Sequence, residues 1–69
     1  MANYLILYSV VTAERVYDGN EYYIYAYDAG EARMLFHHDP DIREDAAARC
    51  MVSVSDIKTL RIERVIRRD

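Results

Sequence analysis

Tyr22-Tyr23-Ile24-Tyr25-Ala26-Tyr27-Asp28-Ala29-Gly30-Glu31 is the stretch that decides the fold, because the periodicity of the chain changes inside it. As far as Tyr27 the residues are aromatic, β-branched or small, which suits a strand. Side chains alternate faces along a strand, so Tyr23, Tyr25 and Tyr27 line one surface and Tyr22, Ile24 and Ala26 the other. Three buried phenol hydroxyls would each need a hydrogen-bond partner. The tyrosine face is therefore expected to be the open one. Asp28-Ala29-Gly30-Glu31 then has the form of a capping box, an acceptor followed three residues later by Glu.

Reading outward toward the N-terminus, Asn3 to about Val11 is nearly continuously apolar, with Tyr4, Ile6, Tyr8 and Val10 alternating against Leu5, Leu7 and Val11. Such a strand is contacted on both sides. Asp18-Gly19-Asn20 is the turn signal between it and a second strand, Glu21 to Tyr27. Thr12 to Tyr17 either continues the first strand or begins the connection.

Toward the C-terminus, the helix opened by Asp28 places Ala29, Ala32, Leu35 and Phe36 on one stripe. Pro40 disfavours helix at Asp39, so that helix ends near His38. Asp39 can cap a second short helix with Pro40 at its first position, burying Ile42, Ala46 and Cys50. The alternative is one bent helix. Met51 to Asp56 reads either as a short strand or as an irregular return. Lys58 to about Arg67 alternates as a last strand.

The expected architecture is α+β, a three-stranded, mainly antiparallel sheet with one or two helices on one face (β-β-α-(α)-β). Size and polarity assign Leu5, Leu7, Ile24, Ala26, Leu60 and Ile62 to the helix-covered face. Tyr4, Tyr8, Tyr23, Tyr25, Tyr27, Arg61, Glu63 and Val65 fall on the open one. A slip of one residue would exchange the faces.

At 69 residues, residues 1–69 are expected to form one α+β domain. A chain of this size buries only roughly 60% of its unfolded surface, which favours a stabilising partner. A hydrophobic content of 52% excludes a disordered tail. No apolar run approaches the ~18 residues of a membrane span. The N-terminus lacks the pattern of a signal peptide. With a single free thiol, Cys50, these features suit a reducing, cytoplasmic setting.

The net charge of −3 is unevenly spread. From Asp18 to Asp45, eight acids (Asp18, Glu21, Asp28, Glu31, Asp39, Asp41, Glu44, Asp45) face two bases. From Ala46 to Asp69, six bases face three acids. An acidic middle attracts basic partners and repels phosphate. The alternative is a solvated surface whose charges serve solubility.

No catalytic, metal or cofactor signature emerges, and the chain reads as a non-enzyme. His37 and His38 end a helix, where the dipole favours a protonated imidazole, and no companion ligand is indicated. Cys50 lies among alanines as a small hydrophobe does. Gly19 and Gly30 form no phosphate-cradling loop, and Ser53 and Ser55 lie in no nucleophile motif. An open aromatic face could stack single-stranded bases. The pI of about 5.2 and the lack of an RNP-like motif argue against that. Tyrosine and arginine together are better suited to a protein contact, including self-association into a two-fold dimer.

The hairpin ending Tyr-x-x-Ala-x-Asp, the run Gly-Glu-Ala-Arg-x-x-Phe from Gly30 to Phe36, and Ile-Lys-x-Leu-Arg-Ile-Glu-Arg-Val from Ile57 to Val65 resemble small ββαβ proteins of phages and mobile elements, some of which are anti-CRISPR proteins. The likeness is architectural and spans about a third of the chain, Tyr25 to Phe36 and Ile57 to Val65. The Asp39 to Cys50 insert departs from the shortest versions. The resemblance implies an inhibitor in a bacterial cytoplasm that binds a CRISPR effector stoichiometrically. On that reading the eight acids mimic phosphates, and Tyr23, Tyr25 and Tyr27 anchor against basic side chains of the target.

Overall fold

Leu5 and Ile6 are adjacent in sequence and almost wholly enclosed, although they point to opposite sides of a strand. That is possible only in a central strand. In a computed structural model describing all residues from Met1 to Asp69, this strand, β1 (Ala2–Thr12), lies between β2 (Val16–Ala26) and β3 (Ile57–Arg67). Both neighbours run antiparallel to it. Helices α1 (Ala29–His38) and α2 (Pro40–Cys50) and a 3₁₀ turn (Val54–Asp56) connect β2 to β3. The expected β-β-α-α-β order and three-stranded sheet are what the chain forms.

The helix boundaries follow from local chemistry. Asp28 accepts the amide of Glu31 at 2.8 Å, and the Glu31 carboxylate accepts the amide of Tyr27 at 2.9 Å. One orphaned amide of the first helical turn, and the Tyr27 amide just before the cap, are thereby satisfied. Asp39 is extended (φ −89°, ψ 112°), which separates the two helices, and its carboxylate accepts the amide of Asp41 at 2.9 Å. The helix ends at Met51, which adopts a left-handed conformation with φ 57°. Met51 to Asp56 is an irregular return closing in the 3₁₀ turn, and Arg43 ties α2 to the start of β3 by donating to the carbonyl of Ile57.

The core lies between the sheet and the helices. It holds Tyr4, Ile6, Tyr8 and Val10 from β1, Ile24 and Ala26 from β2, and Ile57 and Leu60 from β3. Ala32, Phe36, Ile42, Ala46 and Ala47 meet them from the helices, and Ile62, Val65 and the half-buried Cys50 pack at its margin.

Four expectations are corrected. The faces of β1 are reversed, with Tyr4 and Tyr8 under the helices and Leu5 and Leu7 on the open side. The helical layer presents alanines at Ala32, Ala46 and Ala47, which leave depth for rings. Burying about 150–250 Å² of ring at about 25 cal/mol per Å² is worth about 4–6 kcal/mol. An unpaired hydroxyl costs about 1–3 kcal/mol. The ring wins.

Second, Asp18-Gly19-Asn20 is not the hairpin turn. Asn20 pairs with Tyr8 and Tyr17 with Val10, so Asp18 and Gly19 together oppose Ser9 as a bulge, with Gly19 at φ 79°. Pairing continues to Val11 and Val16, and the reversal occurs at Ala13-Glu14-Arg15. There the Thr12 hydroxyl accepts from the Arg15 amide at 3.1 Å and donates to its carbonyl at 2.9 Å. A glycine with positive φ serves a bulge as well as a turn.

Third, Val65 lies on the core side, opposite Ile6. Ile62 pairs with Tyr8 and Arg64 with Leu7, leaving Glu63 as an extra residue that changes the phase of β3. Fourth, Leu35 is more than a third exposed and leaves the α1 stripe to Ala29, Ala32 and Phe36.

Candidate functional site

The helices cover one side of the sheet, and the other side is open. Cross-strand pairing arranges it in rows. Leu5 lies between Tyr23 and Ile66, Leu7 between Glu21 and Arg64, and Val11 between Val16 and Thr59. Tyr25 stands beside Asn3. Tyr23 and Tyr25 are 60% and 59% exposed, yet Leu5 on the same face is only 2% exposed. Leu5 occupies the middle strand between two large neighbours, whereas the tyrosines occupy an edge strand with solvent beyond it.

Ser9 lies between the Leu7 row and the Val11 row. It is fully enclosed, and its hydroxyl lies 2.7 Å from a carboxylate oxygen of Asp18 and 2.9 Å from one of Glu63. A hydroxyl carries one hydrogen, so it serves one of these acceptors at a time. The two bulges bring both acids here, Asp18 from β2 and Glu63 from β3. Arg61 donates to Glu63 at 2.9 Å, and this bond, with that from Ser9, holds the Glu63 carboxyl below the usual glutamate range.

The sequence-derived contact residues separate into three groups. Asp18, Glu21, Tyr23 and Tyr25 share the open face. Tyr27, Asp28 and Glu31 lie at the junction of β2 and α1; Tyr27 is past the end of the strand and is 70% exposed. Asp39, Asp41, Glu44 and Asp45 belong to the cap and first turns of α2, whose buried residues pack on the opposite side of the sheet. Asp45 is paired with Arg49 at 3.0 Å. The eight acids therefore do not form one surface.

Leu5, Leu7, Val11, Val16, Ile66 and Arg64 lie on the open face although the sequence did not place them there, and Leu5 and Leu7 were expected under the helices. The signal for the first three was present in a strand apolar on both sides, since its second apolar face had to lie somewhere.

The other candidate groups are accounted for locally. The Cys50 thiol donates to the Asn20 side-chain oxygen at 3.8 Å, and burial pushes its pKa up, opposed by Arg49. That disfavours the nucleophilic thiolate. His37 sets its ring edge-on to Phe36 with centroids 5.5 Å apart, and His38 is exposed. No three His, Cys, Asp or Glu side chains converge as a metal site would require. No helix is long and apolar enough to cross a membrane. Comparison of the chain with protein-family models, with characterised proteins and with solved structures found no match.

Proposed function

We propose that this chain is a small non-enzymatic binding module that docks a protein on the open face of its sheet. One observation carries the reading. Tyr23 and Tyr25 stand more than half exposed along an apolar strip of Leu5, Leu7 and Ile66, with charges of both signs around it. Amphipathic rings over an enclosed aliphatic floor, inside a polar rim, are the composition of a contact surface. Photo-crosslinking tests it, with a benzophenone side chain placed at Tyr25 or, as a control, at Met51. A defined protein adduct from Tyr25 and none from Met51 is expected. Equal labelling from both, or none from either, would overturn the reading.

A second reading follows from the likeness to small phage proteins: an inhibitor that occupies a basic nucleic-acid site of a CRISPR effector in a bacterial cytoplasm. Asp18 and Glu21 beside Tyr23 support it, since they bring two carboxylates onto the aromatic face. Asp39, Asp41, Glu44 and Asp45 would form a separate surface. On this reading Glu21→Lys relieves inhibition of effector DNA binding, strongly so at low salt. Full inhibition by that variant would remove Glu21 from the inhibitory contact.

A further inference from the structure

The row through Leu7 carries opposite charges at its two ends, Glu21 on β2 and Arg64 on β3. Both are exposed. Neither belongs to an ion pair; the pairs present are Arg49–Asp45, Arg61–Glu63 and Arg67–Asp69. Two strand spacings of about 4.8 Å separate them, roughly 10 Å with Leu7 between. Within one chain they are not paired.

We infer that the open face is closed by a second copy of this chain, related by a two-fold axis parallel to β1. This rests on the reading of that face as a contact surface and names its occupant. Rotation by 180° about such an axis lays β2 of each copy over β3 of the other and keeps every row at its own level. Glu21 then meets Arg64 of the second copy, twice by symmetry. In the neighbouring row Tyr23 meets Ile66 of the second copy, and Leu5 meets Leu5 on the axis. A two-fold axis across the strands would instead lay β2 over β2 and β3 over β3, stacking acid on acid and base on base where it crosses the Leu7 row and nowhere bringing Glu21 to Arg64, which the charge pattern disfavours. Aligned sheets pack with a rotation of about −30°, which degrades the match away from the centre. The Leu5 and Leu7 rows both lie near the middle of β1.

The area suffices. Three strands of eleven residues, at about 3.3 Å per residue and about 4.8 Å between strands, make a face of about 36 by 14 Å. In plan that is on the order of 500 Å² per copy, or about 1,000 Å² for both, the level at which specific contacts begin.

Sedimentation over a wide range of chain concentration tests this with E21R, R64E, their equimolar mixture and Y23S. Both charge variants alter exposed, unpaired side chains, so each should fold as the parent does by circular dichroism. The parent is expected to dimerise, E21R and R64E each to associate at least about tenfold more weakly, and the mixture to recover the parent's affinity. A parent that stays monomeric at millimolar concentration overturns the dimer while leaving the Tyr25 crosslinking result free to stand. A dimer weakened by Y23S but indifferent to E21R and R64E overturns the axis. A dimer indifferent to all three uses another surface, which overturns both this inference and self-contact through the open face.

Discussion

The ring of Tyr8 meets the ring of Phe36 edge-on, with centroids 4.9 Å apart and planes at 61°. This contact joins the central strand to α1 at the middle of the core. It also leaves the Tyr8 hydroxyl as the one buried side-chain polar atom with no hydrogen-bond partner. Burial pushes the Tyr8 pKa up, with Arg49 opposing and Asp45 adding to the rise, so the phenol stays protonated.

Tyr8→Phe keeps the edge-on ring and removes the orphaned hydroxyl. It should raise stability by about 1 kcal/mol, toward the low end of the desolvation cost of an unpaired group. Phe36→Ala should lower it by about 3–5 kcal/mol, a large share of the stability of a domain of this size. Urea denaturation followed by circular dichroism measures both. A Tyr8→Phe variant destabilised by more than about 1 kcal/mol would show that the hydroxyl has a partner after all.

Two left-handed residues should respond in opposite directions. Gly19 has φ 79°, and an added Cβ would meet nothing within 4 Å. Gly19→Ala should therefore lose about 1 kcal/mol through backbone strain alone. Met51 has φ 57° and is 92% exposed. Met51→Gly should gain about 0.5–1 kcal/mol by relieving the same strain at a helix end. Thermal melts of the pair decide it.

The capping acids can be separated from any contact role. Asn caps about as well as Asp, whereas Ala does not. Asp28→Asn and Asp39→Asn should melt within a degree or two of the parent, while the alanine versions should each lose about 1 kcal/mol. Loss of partner binding in an asparagine variant that melts like the parent would assign the charge itself to binding.

Glu63 sets a pH dependence. Its folded pKa lies below the ordinary glutamate value of 4.5, so the unfolded chain binds more protons near that pH. The stability contributed by its contacts is complete above the unfolded value and is lost as pH falls through the folded one. Arg61→Ala removes the largest cause, and Ser9→Ala the next. Carboxyl carbon NMR titration should show the Glu63 pKa rising in both, by more in the first. No change in Arg61→Ala would refute the assigned cause.

Much of the fold was legible from particular residues. Asp28 and Asp39 announced both helix starts, and Pro40 their separation. Ile24 and Ala26 against Tyr23 and Tyr25 oriented β2 correctly, because that strand has one small-to-medium face and one bulky amphipathic face. The site was only partly legible. Asp18, Glu21, Tyr23 and Tyr25 do share a surface, but Asp39 to Asp45 are adjacent to them only in the acidic composition of the middle segment. Sequence proximity of charges says nothing about which side of a sheet they reach.

Local chemistry along the chain, by itself, indicated the order of the strands and helices and both helix starts, because alternation, caps and proline act within a few residues; it misplaced the hairpin reversal, which lies at Ala13-Glu14-Arg15. The side to which β1 turns its tyrosines was decided by the tertiary structure. Both faces of that strand are apolar, and the choice depends on the space left beneath Ala32, Ala46 and Ala47. The bulges at Gly19 and Glu63 likewise appear only when strands pair, and they alone bring Asp18 and Glu63 to the hydroxyl of Ser9. The opposition of Glu21 and Arg64 across Leu7 depends on registers with two different strands. It is a relationship in space between residues 43 positions apart, which no local pattern encodes.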